Sequence, residues 1–170
     1  YDRYPKSFEE DIALCKDSGV NVIFAPSRDD IFGDKNLTFV DIEELQNNLC
    51  GSKRVGHFRG VCTIVTKLFN IVMPDRSYFG KKDIQQLCIV KRMVKDLNIP
   101  TLIIGCDIVR DKDGLALSSR NRYLSSSERE DALVLSRSIK SALDMIKNGE
   151  TSSKNVIKHI TTLIQKTKSA

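Results

Sequence analysis

The stretch YFGKKDIQQL, residues 78–87, decides how this chain is read. Two aromatics close a short apolar segment, a glycine and three charged residues turn the chain, and apolar residues then recur at helical intervals. That is the pattern of a strand feeding a helix through a short βα turn. In a parallel α/β sheet such turns lie beyond the carboxyl ends of the strands, where ligands bind. A Walker A loop is excluded, because it needs a longer glycine-rich span ending in Gly-Lys-Ser/Thr. The turn is either an ordinary charged connection or an anion site of another kind.

Outward from this stretch the same alternation continues. TLIIGCDIV (101–109) is predicted as the next buried strand, and VCTIVTKLFNIV (61–72) is spaced as a buried helix, with its β-branched content leaving a strand open, ahead of a short strand near 77–79. Asp83 starts the helix after the turn, with Ile84, Leu87, Cys88, Val90 and Val94 on its apolar period. Further upstream, Ser7 and Glu10 form a capping box for a helix through Lys16 that closes near Gly19. VNVIF (20–24) reads as a strand stopped by Pro26; Asp41 and Glu44 cap a helix through Leu49; SKRVGHFRG is a basic, glycine-punctuated loop. Strands dense in Val, Ile and Leu predict an α/β fold with a parallel sheet covered on both faces. Past Val109 a polar loop (110–123) leads to a long helix capped by Ser125 and Glu128, running to Lys147 and stopped by Gly149, then to an amphipathic helix over about 153–167. The expected domains are 1–107, a βα unit, and 108–170, helical and basic.

The chain has 170 residues, 41% hydrophobic and 29% charged, enough for a buried core. No apolar run reaches the length of a membrane span, so no membrane partner is expected. Cys15, Cys50, Cys62, Cys88 and Cys106 show no CxxC spacing and read as reduced core residues of a cytoplasmic protein. Net charge is +5, and the first 107 residues carry 15 charges of each sign, so the excess lies entirely in the last third. That basic tail has no interleaved aromatics on which bases could stack, which argues against nucleic acid.

Two loops carry groups suited to anions. Gly80 lets backbone approach a ligand, Lys82 adds a mobile cation, and Asp83 is placed to cap the following helix, whose N-terminal amides favour negative charge. In LSSRN (117–121), Ser118, Ser119 and Arg120 offer two hydroxyls and a planar fork of donors suited to a polyphosphate. Taken alone, the first is equally a solvated βα turn, and the second equally a pair of turn-forming serines beside a surface arginine. His57, flanked by Arg54 and Arg59, reads as a neutral ring in a pocket wall. One of Gln85 and Gln86 is expected at the pocket edge, and His159 reads as a solvated or partly packed helix residue without a role.

GHFRGVCTIVTKLFNIVMPD, YFGKKDIQQL and DGLALSSRNRYLSSSER, with YPKSFEEDI and VNVIFAPS, together resemble the pantothenate synthetase (pantoate–β-alanine ligase) family over essentially the whole chain. The resemblance implies a Rossmann-like nucleotidyltransferase fold with a parallel sheet, followed by the start of a smaller α+β C-terminal domain, in a cytoplasmic homodimer. It implies ATP binding by Gly80, Lys81, Lys82 and Asp83, by Val109, and by Leu117, Ser118, Ser119 and Arg120. Gln86 corresponds to the pantoate-binding glutamine, with His57 and Arg54 in the pocket wall. Lys82, Ser118, Ser119 and Arg120 would be the catalytic charge stabilisers. Mg2+ would arrive with ATP as substrate, with no protein-held metal and no tightly bound cofactor.

The sequence departs from that family in places. Lys81 stands where the family usually has Glu, and Val55 where it has Pro. The family's His-x-Gly-His and Asn-Pro-x-Gln-Phe elements are not in this sequence. The chain opens without methionine and its first apolar segment arrives late. The expectation is the central portion of such an enzyme, incomplete at both ends and unable alone to complete the reaction. The alternatives are a nucleotide-binding or dimerisation module, and another adenylyltransferase of the same superfamily.

Overall fold

A computed structural model describes residues 8–167. Helix α1 (Phe8–Asp17) has the predicted extent, while its expected cap, Ser7, lies outside the described residues. Residues 20–24 are not a strand, contrary to expectation, and Val22 is 80% exposed. An apolar run becomes a strand only when its amides and carbonyls find a ladder, and the ladder among the described residues joins two later segments. A short helix that the sequence reading missed, α2 (Arg28–Phe32), follows instead. Ser27 and Asp30 form its capping box, each backbone N–H donating to the other's side chain.

The helix expected from Asp41 to Leu49 is replaced by two single 3-10 turns, Leu45–Asn47 and Gly51–Lys53. Tertiary contacts explain the change. Thr63 accepts from the Val40 amide at 3.0 Å, Ile42 is buried in the core, and the Asp41 carboxylate accepts from its neighbour Ile42. Glu44 and Leu49 take positive φ, which an α-helix does not contain. Gly51 lies so close to the Gln46 carbonyl that an added Cβ would stand 1.9 Å from its oxygen.

Helix α3 (His57–Val72) begins four residues before the predicted start at 61, so the basic loop is shorter than expected and His57 sits in the first helical turn. Phe58, Val61, Cys62, Val65 and Phe69 fall on one stripe and face the core. Met73 then takes φ 50 before Pro74 releases the chain into strand β1 (Arg76–Gly80). A 3-10 turn, Lys81–Asp83, leads to α4 (Ile84–Asp96), and after Asn98 (φ 52) and Pro100 the chain enters β2 (Leu102–Cys106). The strands are parallel, with Arg76 beside Leu102 and Gly80 beside Cys106. At their starts the connections bond to each other, Thr101 Oγ1 donating to the Pro74 carbonyl and the Leu102 amide to that of Asp75.

The parallel sheet is as predicted, but its two faces differ. Phe79 and Ile103 turn toward Leu87, Ile89, Val90 and Met93. Tyr78 and Leu102, on the opposite face, are 62% and 59% exposed, so among the described residues the covering is one-sided. Ile84 and Cys88 are exposed, and Ile89 and Met93 take the places expected for them in the core. Ile89 and Val90 are fully buried, each contributing about 1.5–3 kcal/mol through burial. The cysteines also depart from expectation. All five are free, but Cys62 alone is buried, its thiol pushed up to about 11 by loss of water and by Asp41; Cys50, Cys88 and Cys106 are exposed.

Phe8–Ile108 forms one compact unit, and a second begins at Val109. In the second, the predicted long helix is two: α5 (Ser126–Ala132) and α6 (Val134–Lys147). The backbone tightens between them, the Leu133 amide donating to Glu130, and the Leu133 side chain is buried. The Ser125–Glu128 capping box forms as predicted. Helix α7 (Ser153–Gln165) packs on α6, where His159 and Ser141 share a 2.7 Å hydrogen bond.

Candidate active site

The 80–83 turn stands at the carboxyl end of β1. Gly80 is extended, and the space a Cβ would fill is open, so neither strain nor crowding demands glycine there. Lys81 crosses to the end of β2, its Nζ 2.5 Å from Asp107 Oδ1. The hydrogen bond and charge of Asp107 raise the Lys81 pKa, and Lys81 in turn holds the Asp107 carboxyl below its usual range. Lys82 lies 3.6 Å from Asp83. Asp83 occupies the N-cap position of α4 without accepting a capping hydrogen bond, so its expected capping role is not realised.

Beside this turn, the first turn of α4 carries the two glutamines. Gln85 faces residues 45–50 and bonds to them through both ends of its amide. Gln86 is half-buried. The same irregular segment walls a cavity of about 480 Å³ together with Asp41, Arg54, Phe58 and Arg59. Arg59 also stacks on Phe39, 4.1 Å from the ring centre. The His57 ring stands 4.9 Å from that of Phe58, at the start of α3 beside this wall.

The second anion-type loop is built in the unit that starts at Val109. Arg110 and Ala116 form an antiparallel bridge, and the Leu117 amide donates to the Val109 carbonyl at 2.9 Å. Two positions expected to touch one ligand are thereby held side by side. Ser118 caps the 3-10 turn Ser119–Tyr123, accepting from the Arg120 amide, and Asn121 donates to the Ala116 carbonyl. Arg129 of α5 grips the hairpin from below, at 2.7 Å from Asp111 and 2.8 Å from Asp113. Asp113 is held below the usual carboxylate range, chiefly by the Leu115 amide; the Asp111 and Asp113 carboxylates raise the Arg129 pKa.

Residues 1–170 match the family described as pantoate-beta-alanine ligase. The chain belongs to that family. It is 53% identical over 170 residues to the pantothenate synthetase of Acetivibrio thermocellus, covering all of this chain and 60% of that protein. It is 52% identical over 149 residues to that of Clostridium novyi, covering 88% of this chain and 53% of the relative. The crystal structure of pantothenate synthetase from Thermus thermophilus superposes with a TM-score of 0.94 at 40% identity, over 98% of this chain and 60% of that one. The pantoate-beta-alanine ligase from Francisella tularensis, complexed with beta-gamma ATP and beta-alanine, gives 0.77 at 35% identity, over 96% and 60%. The chain thus spans about 60% of the length of these relatives. The likeness carries the α/β, Rossmann-like nucleotidyltransferase fold.

In this member of the family, Asp107 and Arg129, which sequence reasoning passed over, organise the turns, and Gln85, left open there as a pocket-edge residue, is structural. Asp107 was hidden because Lys81 reaches it across 26 positions in sequence. Arg129 was hidden in the same way, since Asp111 and Asp113 lie 18 and 16 positions before it.

Proposed function

We propose that this protein condenses (R)-pantoate with β-alanine to pantothenate, cleaving ATP to AMP and pyrophosphate. The pantoate carboxylate attacks the α-phosphorus of ATP, forming pantoyl adenylate as the bond to pyrophosphate breaks. The β-alanine amine then attacks the activated carbonyl, loses its proton, and expels AMP. Lys82, Ser118, Ser119 and Arg120 stabilise the charge that develops on the phosphates, the effect usually largest in such sites. ATP contacts come from Gly80, Lys81, Lys82, Asp83, Val109, Leu117, Ser118, Ser119 and Arg120, and Gln86 holds pantoate near a wall formed by Arg54 and His57. Mg2+ enters on ATP as part of the substrate.

The observation that carries this reading is the 80–83 turn. It places Lys82 and an uncrowded glycine at the carboxyl end of a parallel strand, in a chain whose Francisella relative is a complex with beta-gamma ATP and beta-alanine. We read the unit ending at Ile108 as the nucleotide-binding domain and the unit from Val109 as the start of a smaller α+β domain. The working form is read as a cytoplasmic homodimer, without nucleic-acid or membrane partners. The 170 residues by themselves are not expected to complete the reaction, because the family's His-x-Gly-His element is not among them.

The decisive experiment supplies the protein, expressed from its complete reading frame, with ATP–Mg2+, pantoate and β-alanine. AMP and pyrophosphate should form in step with pantothenate, and pyrophosphate alone should appear in a single turnover without β-alanine. Release of ADP and phosphate would instead mean an acyl-phosphate route and would sink the proposed chemistry.

A further inference from the structure

Gln85, beside the 80–83 turn, is fully engaged. Its Oε1 accepts from the Cys50 amide at 3.1 Å and from the Cys50 thiol at 3.0 Å. Its Nε2 donates to the Leu45 carbonyl at 3.0 Å and to the Asn48 carbonyl at 2.7 Å. A carboxamide offers two donors and two acceptor sites, and here all are taken. The partners also fix which end is which, because a backbone amide can only donate and a carbonyl can only accept. No capacity remains for a ligand.

The other hydrogen bonds of the segment Gln85 holds run to near neighbours in sequence, such as the Asn47 amide to the Glu44 carbonyl and the Ser52 hydroxyl to that of Leu49. Residues 45–50 contain one 3-10 turn, and Glu44 and Leu49 at either side are at positive φ. Yet Gln46 and Asn47 of this segment, with Gly51 just after it, wall the cavity that Arg54 and Arg59 also line. Neighbouring residues on a helix point about 100° apart, so turning Gln85 onto 45–50 leaves Gln86 aimed elsewhere.

We propose that Gln85 is a positioning residue that fixes the 45–50 wall of the cavity to the first turn of α4, and so sets the site for the carboxylate substrate without touching it. The two adjacent glutamines divide the work, one bracing the wall and the other left for the ligand. This rests on the reading in which Gln86 holds pantoate, but the brace itself can be tested separately.

The test compares the wild-type protein, expressed from its complete reading frame, with Gln85→Met and Gln85→Ala. Methionine fills the volume without hydrogen bonds and guards against a cavity-driven failure to fold. The first readout is the rate at which iodoacetamide alkylates Cys50, resolved from the other cysteines by peptide mapping. It should rise about tenfold in both variants, because the exposed Cys50 thiol loses the Gln85 acceptor that holds it in its protonated, unreactive form, while Cys88 and Cys106 keep their rates. The second readout is steady-state kinetics: KM for pantoate should rise about tenfold, with kcat and the KM for ATP within about twofold of wild type. Unchanged Cys50 reactivity overturns the proposal, as does an unchanged pantoate KM in an active enzyme, or a parallel loss of kcat and gain of reactivity at every cysteine. If the wild type does not use pantoate at all, the substrate reading fails, while the Cys50 comparison still decides whether Gln85 braces the wall.

Discussion

At the end of β1, Lys81 reaches across to Asp107 and Lys82 lies near Asp83, all four side chains well exposed. At 117–120 the frame is backbone: a hairpin bridge, a Val109–Leu117 hydrogen bond and a Ser118 cap, backed by Arg129. Both turns offer cations and donors of the kind a polyphosphate takes. The first is fixed by exposed charge pairs that salt screens, the second chiefly by neutral hydrogen bonds that salt barely affects, with the less exposed Arg129 pairs added. Charge at the first turn is therefore adjustable, whereas geometry at the second is set.

The strongest way to break this comparison is to remove the cations themselves. Lys82→Ala and Arg120→Ala should each lower kcat/KM for pyrophosphate release by about 100-fold or more, if both stabilise the departing phosphates. A small effect from either would remove that turn from the chemistry. Arg129→Ala should leave the first turn unchanged but loosen the hairpin, so that the amides of Asp111, Gly114 and Leu117 exchange with deuterium about tenfold faster. Beneath the first turn, Gly105→Ala drives a Cβ to 2.9 Å from the buried Leu87 side chain. Overpacking of this kind should cost about 1–3 kcal/mol in denaturant unfolding.

The smallest effect concerns the Lys81–Asp107 pair. The folded Asp107 pKa lies below its ordinary 3.8, so its contribution is complete above that value and fades as pH falls through the lowered one. The folded Lys81 pKa lies above its ordinary 10.5, so its contribution is complete below that value and is lost as pH rises through the raised one. Between those limits Asp107→Asn should shift the ATP KM by no more than about threefold, with the difference from wild type vanishing at high salt. A difference that persists in high salt would mean Lys81 holds the turn by more than exposed charge.

The elements legible in the sequence were those whose own pattern decides them. The α3 stripe from Val61 to Phe69, the Ser125–Glu128 box and the parallel pair of apolar strands needed no distant partner to be recognised, although Phe58, which opens that stripe, was read as loop. Residues 20–24 and 41–49 were misread because their fate depends on other segments. The first lacks a ladder among the described residues, and the second is drawn to Thr63 and Gln85. Of the candidate site, the residue types were visible from spacing alone. What aims them was not, since Asp107, Arg129 and the orientation of Gln85 are matters of tertiary approach.

Met73 and Asn98 mark the opposite edge of the sheet, where α3 and α4 hand the chain to β1 and β2. Both adopt left-handed backbone, which asparagine tolerates and methionine resists. The Met73 connection thus retains slack that a change to asparagine or glycine could release. Because the 80–83 turn hangs from the other end of β1, selection can adjust robustness at one edge while leaving the chemistry at the other undisturbed. In an evolving lineage, such a position would serve as a reserve from which costlier changes near the site could be offset.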